Sequence, residues 1–284
     1  MILAFSTNAF TRFPLVEALR GIRQARFTHV EILADAPHAD PAAGGDPVAA
    51  AGEVRRELDA IGLRVSNVNT NCSFSYWRHA PPEPYFEPSL ISPVEQYQRD
   101  RAQRIRWALE FAAGIGAPAV SITTGRCLAH VTPDLAARLL RENLLPLLDY
   151  ADKLGVNIGI ECEPGLYIEY AHELADLIAD FGHRRLGANL DTGHSHVLGE
   201  SLMDAFTLLR GRIWNLHVED LPGRKHYHMV PGTGTFPWSE LVTAIHATQY
   251  TGPATVELYT QTQKPHAAAS ASWGFLEPLF RASH

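Results

Sequence analysis

The feature that most constrains the fold is a repeated alternation of short apolar runs with segments whose apolar residues recur at helical spacing. Strands that alternate with helices pair in parallel through crossover helices. The predicted strands are Leu3–Phe5, Phe27–Leu33, Leu63–Val68, Ala119–Thr123, Asn157–Glu163, Leu186–Leu190, Ile213–Val218 and Ala254–Leu258. Eight strand–helix units without a break in composition predict one domain, residues 1–284, with the (β/α)8 TIM barrel fold. A Rossmann fold is the alternative, but no GxGxxG motif follows the first strand.

Composition disfavours several classes of protein. Hydrophobic residues make up 46% of the chain, which is enough for a large core. The net charge is −7 and the Lys and Arg residues do not cluster, so we expect no nucleic acid partner. No apolar run approaches about 20 residues and no basic segment precedes the first strand, so we expect neither a membrane span nor a signal peptide. Three cysteines without paired spacing, Cys72, Cys127 and Cys162, are typical of a cytoplasmic protein.

The longest irregular segment runs from Asn69 to Ser92 and is rich in proline and aromatic residues. A loop of this length inside a compact domain is usually functional. We interpret it as a lid after the third strand, whose aromatic side chains cover a small ligand. An aromatic plug packed on the rim of the barrel explains the same composition equally well.

Metal-binding residue types end four consecutive strands: Glu163, Asp191, His217 and Glu257. Neighbouring strands lie about 4.8 Å apart, so these side chains can converge on one ion. Three carboxylates and one imidazole suit a single divalent ion, Mn²⁺ or Mg²⁺ first and then Co²⁺ or Zn²⁺. Glu161 points to the same side of its strand as Glu163, but one layer deeper, where a carboxylate needs a partner. Any single buried glutamate has the alternative of an ion pair with an arginine.

Four more residues are candidates for contacting a substrate: His194, His228, Arg224 and Glu31. We expect His194 to bind a substrate oxygen or, alternatively, to orient the aspartate three residues before it. Arg224 can bind a phosphate or hydroxyl group, or lie in solvent. Of the two histidines in the same loop, we expect His226 or His228 alone to face the site. Glu31 reaches either the substrate or a structural partner.

The second half of the chain resembles the xylose isomerase-like TIM barrel superfamily, especially its sugar phosphate isomerase/epimerase group. The matching segments are Glu163-Pro164, Asp191-Thr192-Gly193-His194, His217-Val218-Glu219-Asp220, Pro231-Gly232-Thr233-Gly234 and Glu257. The resemblance implies that Glu163, Asp191, His217 and Glu257 bind one divalent metal. The ketose 3-epimerases, which the chain also resembles, use two metal-bound glutamates on opposite faces of the substrate. Carried over, these catalytic residues are Glu163 and Glu257. Barrels of this family often dimerise, so a homodimer is one alternative, and the oligomeric state stays open at this point.

A mechanism follows for a small sugar or hydroxy-ketone. The substrate chelates the ion through its carbonyl and the neighbouring hydroxyl, and the ion stabilises the enediolate that forms when a proton is lost. One carboxylate removes the proton and a second returns it. The sequence therefore predicts a divalent-metal-dependent isomerase or epimerase.

Three other functions are open at this point. A keto-cyclitol dehydratase would use the same base and metal. A phosphodiesterase resembling endonuclease IV would need several metals and more histidine ligands, for which His38, His79 and His228 are candidates, but the acidic net charge disfavours it. A barrel that binds a metabolite without turnover is the third, and the complete set of predicted ligands argues against it.

Overall fold

The computed structural model describes residues 1–43, 45–77 and 86–281. Within these residues eight strands occur, namely β1 (Ile2–Ser6), β2 (His29–Leu33), β3 (Arg64–Asn69), β4 (Ala119–Ile122), β5 (Asn157–Glu161), β6 (Leu186–Asp191), β7 (Ile213–Val218) and β8 (Pro253–Val256). They pair in parallel in chain order, and β8 closes the barrel against β1. The predicted single-domain TIM barrel is confirmed.

Helices surround the barrel and connect its strands. They are α1 (Leu15–Gln24), α2 (Pro47–Ile61), α3 (Glu95–Ile115), α4 (Pro133–Leu154), α5 (Ala171–Phe181), α6 (Thr192–Leu198), α7 (Leu202–Leu208), α8 (Trp238–Thr248) and α9 (Pro265–Arg281). Thr132-Pro133 is a pair typical of a helix start, and α4 begins there, with the Thr132 hydroxyl accepting a hydrogen bond from the backbone N–H of Leu135 at 3.3 Å. Among the described residues, no helix combines the length and the apolar character that crossing a bilayer requires.

Most strand ends differ from the prediction by one or two residues, and two differences affect the site. β5 ends at Glu161 instead of Glu163, so Glu163 lies in the loop that follows the strand. A short helix, α6, begins directly after β6, in a stretch to which the sequence analysis assigned no element. Asp191 causes this start, because its Oδ1 accepts a hydrogen bond from the backbone N–H of His194 at 2.9 Å and so caps the helix.

The inside of the barrel is polar near the carboxyl ends of its strands. Asn67 donates a hydrogen bond to the Ser121 hydroxyl at 2.9 Å, and the Thr255 hydroxyl donates one to the side-chain oxygen Oδ1 of Asn215 at 2.8 Å. All four side chains are buried. Branched aliphatic side chains usually fill this position in TIM barrels. Here the buried polar groups are hydrogen-bonded, which offsets the free-energy cost of removing them from water.

The described flanks of the predicted lid contact α3. Tyr76 and Trp77 pack edge-on against each other and against Tyr97, with ring centroids 4.8 to 6.2 Å apart. Residues 78–85, which include His79 and the middle of the predicted lid, lie outside the described residues. The lid function therefore stays a prediction, while the part of the lid that precedes residue 78 packs on α3.

His38 packs in the shell of the barrel beside the segment that precedes α1. Its Nε2 lies 3.2 Å from the carbonyl oxygen of Phe13, so Nε2 carries the proton and donates. Burial lowers the pKa of His38 to about 4. His38 is thus a neutral packing residue at neutral pH.

This depressed pKa predicts a pH dependence of folding stability. Between pH 6.5 and about 4 the unfolded chain binds a proton at His38 and the folded protein does not, so stability falls as the pH falls. The loss is about 1.4 kcal/mol per pH unit. His38→Gln keeps a donor at the same place but removes the titration. We expect urea unfolding of the metal-free variant to show a shallower decline of stability over this range.

The matched control is His246→Gln, because His246 is exposed on α8. This variant should follow the wild-type decline. Equal declines in wild type and His38→Gln would contradict the neutral buried state of His38.

Candidate metal centre and active site

Four buried side chains converge at the carboxyl ends of consecutive strands. Glu161 ends β5, Asp191 ends β6, His217 lies in β7, and Glu257 follows β8. One potential ligand atom from each lies within 4.8 Å of the other three. The Nδ1 atom of His217 is 3.1 Å from a Glu161 oxygen, 3.5 Å from a Glu257 oxygen and 3.9 Å from Asp191 Oδ2. We call these four residues the inner site.

Three of the four predicted ligands, Asp191, His217 and Glu257, belong to the inner site. The fourth carboxylate is that of Glu161, whereas Glu163 groups with Glu161 and His194 farther out. The Glu163 Oε2 atom lies 3.7 Å from His194 Nε2. Burial raises the pKa of Glu163 to about 7. Glu161 takes the predicted place of Glu163 because β5 ends at Glu161. Glu161 therefore lies level with Asp191 and His217 at the ends of the neighbouring strands.

Glu31 orients the imidazole ring of His217. The Nε2 atom of His217 is 2.8 Å from Glu31 Oε2, and the Asn67 amide donates to the same oxygen at 2.8 Å. Glu31, a candidate substrate contact, is therefore a structural partner of His217. Burial opposes protonation of His217, but Glu257 and Glu31 outweigh it and hold its pKa well above the usual value. The carboxylates around His217 therefore favour positive charge among them.

Asparagine side chains hold the inner carboxylates in place. Asn71 donates to Glu161 at 2.7 Å, and Asn189 donates to the same oxygen. Asn69 donates to Glu257 Oε1 at 3.0 Å. Sequence reasoning did not identify these amides, although the frequent asparagines at strand ends were a usable signal.

The chemistry of the inner site fits a divalent cation. Asp191 Oδ2 is buried and has no hydrogen-bond partner among the described residues, although a carboxylate oxygen in that position needs one. Burial also raises the pKa of Glu257 well above its usual value. A divalent ion bound by Glu161, Asp191, His217 and Glu257 would satisfy the free oxygen and displace protons from the group.

The loop after β7 brings two histidines to the rim of the inner site. The Nε2 atom of His226 lies 2.9 Å from that of His194 and 3.1 Å from that of His228. The expectation that only one of the two loop histidines faces the site was wrong. Arg224 is exposed, and an alanine Cβ at Gly199 would lie 2.8 Å from its Nη1, so the structure places this guanidinium against the end of α6.

His194 lies beside Asp191, one of its two predicted partners. Its Nε2 atom is 3.6 Å from Asp191 Oδ2 and 3.7 Å from Glu163 Oε2. Burial opposes protonation of His194, but Asp191 and Glu163 outweigh it and raise its pKa to about 9. In the absence of a cation, His194 therefore carries a positive charge at neutral pH.

Asp220 organises a turn and does not join the inner site. Its backbone pairs with Met229 through two hydrogen bonds of 2.8 and 2.9 Å, and its carboxylate accepts one from the backbone N–H of Gly232 at 2.8 Å. A Cβ at Gly234 would lie 2.4 Å from Asp220 Oδ1. The Pro-Gly-Thr-Gly motif is thus a structural turn that holds His228 next to the strand ends.

Glu219 fills a small space under α6. It is fully buried, and burial together with the neighbouring Asp191 carboxylate raises its pKa well above the usual value. A Cβ on Gly193 would lie 1.6 Å from Glu219 Oε1. Glycine at position 193 is therefore required by the close approach of this carboxyl group.

Comparisons with known proteins were made on sequence and on structure. A model of the xylose isomerase-like TIM barrel family matches residues 19–279. The chain is 26% identical over 265 residues to fructoselysine 3-epimerase from Shigella flexneri, covering 89% of this chain and 90% of the relative. Its fold is similar to that of 3-keto-D-glucoside 4-epimerase from E. coli, with a TM-score of 0.79, 18% identity and coverage of 98% and 99% of the two chains. It is also similar to the IOLI protein with a bound zinc atom, with a TM-score of 0.80, 13% identity and coverage of 100% and 99%.

The contact between Gly193 and Glu219 predicts an unusual effect of an alanine. Gly→Ala inside a helix normally stabilises by up to about 1 kcal/mol. We expect Gly193→Ala to destabilise the protein by about 1 to 3 kcal/mol, because the new methyl group overpacks the Glu219 carboxyl. Urea unfolding of Gly193→Ala, Glu219→Ala and the double variant measures this.

The double variant should lose less unfolding free energy than the two single variants lose together, because Glu219→Ala removes the colliding atom. Gly274→Ala in α9 is the control, because nothing lies within 4 Å of a Cβ there, and it should be neutral or stabilising. Additive effects in the double variant would contradict this account of Gly193.

Proposed function

The chain belongs to the xylose isomerase-like TIM barrel family, and from this premise we propose that it is a divalent-metal-dependent isomerase or epimerase of a small sugar or hydroxy-ketone. The observation that carries the proposal is the inner site of Glu161, Asp191, His217 and Glu257, in which buried ligand atoms lie within 4.8 Å of one another. The likeness to a fructoselysine epimerase supports a sugar-like substrate.

The proposed ligands are Glu161, Asp191, His217 and Glu257. Glu161 replaces Glu163 of the sequence-based prediction, because its carboxylate lies 3.1 Å from His217 Nδ1 while Glu163 is directed towards His194. An oxygen-rich set with one imidazole suits Mn²⁺, with Mg²⁺, Co²⁺ or Zn²⁺ as further candidates. When bound, the ion would polarise the substrate carbonyl and make the neighbouring C–H more acidic.

We assign proton transfer to Glu161 and Glu257. They come from β5 and β8, the outer two of the four strands that form the inner site, and this separation supports a substrate that lies between the two carboxylates. Asn71 orients the Glu161 carboxylate, and Asn8 donates to Glu257 Oε1 at 2.9 Å. We propose that one glutamate removes a proton from the carbon beside the carbonyl and the other delivers it.

Glu163 and His194 lie beside each other next to the inner site. Glu163 was the sequence-based choice for a catalytic carboxylate, and we now assign it to a substrate hydroxyl. With a pKa raised by burial to about 7, its carboxyl group both donates and accepts hydrogen bonds at neutral pH.

The free cysteines Cys72 and Cys162 suit a reducing cytoplasm, where we propose that the protein works.

Two matched substitutions test the proposed ligand set. We expect Glu161→Gln to weaken Mn²⁺ binding to the metal-free protein by about a hundredfold or more, because it removes a charged ligand. Glu163→Gln, the same change two residues away, should alter the affinity by less than about tenfold. Isothermal titration calorimetry measures both. A large loss in Glu163→Gln with little change in Glu161→Gln would return Glu163 to the ligand set.

Proton transfer is tested by isotope exchange. In D₂O with Mn²⁺, we expect the wild type to place deuterium on the carbon beside the carbonyl of a ketose from a panel, detected by mass spectrometry. Glu257→Gln should slow this exchange by about 10² to 10⁴-fold, the usual contribution of a general base. The control His246→Gln should exchange at the wild-type rate.

The products distinguish the reactions of this class. A 3-epimer or an aldose supports the proposal. Loss of water from a keto-cyclitol would show a dehydratase with the same base and metal. No exchange with any ketose by metal-loaded wild-type protein would overturn the proposed proton transfer.

A further inference from the structure

Arg101 is the largest fully buried side chain among the residues that the structure describes. It lies in the first half of α3, and the proton transfer proposed above does not use it. Burial and, to a smaller extent, the neighbouring Arg104 lower the pKa of Arg101 to about 10, so its guanidinium is charged at neutral pH. A buried charge costs free energy unless it is paired or hydrogen-bonded. The partners of Arg101 therefore show what this cost maintains.

The guanidinium of Arg101 donates two hydrogen bonds to the segment that follows β3. Its Nη2 donates to the carbonyl oxygen of Thr70 at 2.6 Å, and its Nη1 donates to the Ser73 hydroxyl at 3.0 Å. Thr70 and Ser73 are buried, and both acceptors are uncharged. We call residues 70–73 the Asn71 segment. Because the planar guanidinium holds its donors in a fixed geometry, two contacts three residues apart fix the path of the backbone between them.

Asn71 is the residue of this segment that reaches the inner site. Its amide donates to Glu161 Oε2 at 2.7 Å, while its Oδ1 is buried and has no hydrogen-bond partner among the described residues. The backbone of Asn71 is held on both sides. Its N–H donates to Asn69 Oδ1 at 3.0 Å, and its carbonyl oxygen accepts from the Thr123 hydroxyl at 3.1 Å. The direction of the Asn71 amide therefore depends on the backbone of the segment.

These contacts form a continuous chain from α3 to the inner site. We propose that Arg101 is a positioning residue for Glu161, because it fixes the Asn71 segment and thereby the amide that orients the Glu161 carboxylate. This inference rests on the proposed function, which gives Glu161 its roles as a metal ligand and in proton transfer. A reacting group that is misplaced by about 1 Å loses about 10²-fold in rate, so the position of Glu161 has a direct effect on activity.

A substitution at Arg101 tests this role through the kinetics of deuterium exchange. Arg101→Met fills much of the same space and leaves no buried charge unpaired, so we expect the variant to fold. With Mn²⁺ and an exchanging ketose, its kcat should fall by about 10- to 100-fold, while its KM should stay within about threefold of the wild-type value. Arg101→Lys keeps the charge and a donor but lacks the planar fork, and its kcat should lie between the two.

Mn²⁺ affinity and a double-mutant cycle separate positioning from a general loss of structure. Isothermal titration calorimetry of the metal-free protein should show Mn²⁺ binding about tenfold weaker in Arg101→Met, because Glu161 is a proposed ligand. If Arg101 acts through Asn71, Arg101→Met should slow the Asn71→Ala protein by less than about threefold further. A general loosening of the barrel would slow both backgrounds equally.

Arg99→Met is the matched control on the same helix. The Arg99 side chain is 56% exposed and donates to Gln96 within α3 at 2.9 Å, so this variant should keep the wild-type rate and Mn²⁺ affinity. Ser73→Ala removes one of the two contacts of Arg101 and should lose less than Arg101→Met. Thermal melts show whether each variant is folded. If Arg101→Met does not fold, wild-type kcat and Mn²⁺ affinity in Ser73→Ala would overturn the positioning role.

The positioning role and the proposed function fail separately. Wild-type kcat and Mn²⁺ affinity in folded Arg101→Met, or equal slowing with and without Asn71→Ala, would overturn the role of Arg101 and leave the proposed function standing. No exchange by the metal-loaded wild type with any ketose would overturn the proposed function, and the Mn²⁺ affinities would then decide whether Arg101 positions Glu161. A wild type that binds no Mn²⁺ would overturn both.

Discussion

The contact between Glu31 and His217 is the interaction on which the rest of the site depends. Carboxylates inside a barrel cost free energy unless they are paired or hydrogen-bonded. Glu31 is completely buried, and His217 Nε2 lies 2.8 Å from it, so the ring is held with Nδ1 towards the strand ends. Asparagine amides then hold the Glu161 and Glu257 carboxylates around that nitrogen. The result is a rigid layer of acceptors that is preorganised for a cation before any ligand arrives.

The fold could be predicted from the sequence because alternating strands and helices are compatible with few topologies. The position of Asp191 and His217 could be predicted because sites in this fold lie at the carboxyl ends of the strands. The choice between Glu161 and Glu163 was not readable. Both point to the same side of one chain segment, and which of them meets His217 depends on where β5 stops and on the stagger between strands. That stagger is a property of the closed barrel as a whole. Local patterns of apolar residues therefore do not contain it.

The histidines of the loop after β7 illustrate a second limit. His226 and His228 lie in a loop, where spacing says little about direction. The structure places His226 beside His194 and His228 beside His226, next to the turn that Asp220 holds. The same Asp220 gives the Pro-Gly-Thr-Gly motif its structural meaning. The Pro-Gly-Thr-Gly motif thus has no direct contact role in the site. It fixes the turn that positions His226 and His228, which are not part of the motif.

The two carboxylate oxygens of Asp191 make different contacts. Oδ1 starts α6 by accepting the N–H of His194, while Oδ2 faces the inner site. The oxygen that starts the helix and the oxygen that faces the proposed cation therefore belong to one side chain. Replacing Asp191 by an apolar residue removes both contacts at once, so the start of α6 and the position of His194 depend on the same carboxylate as the inner site.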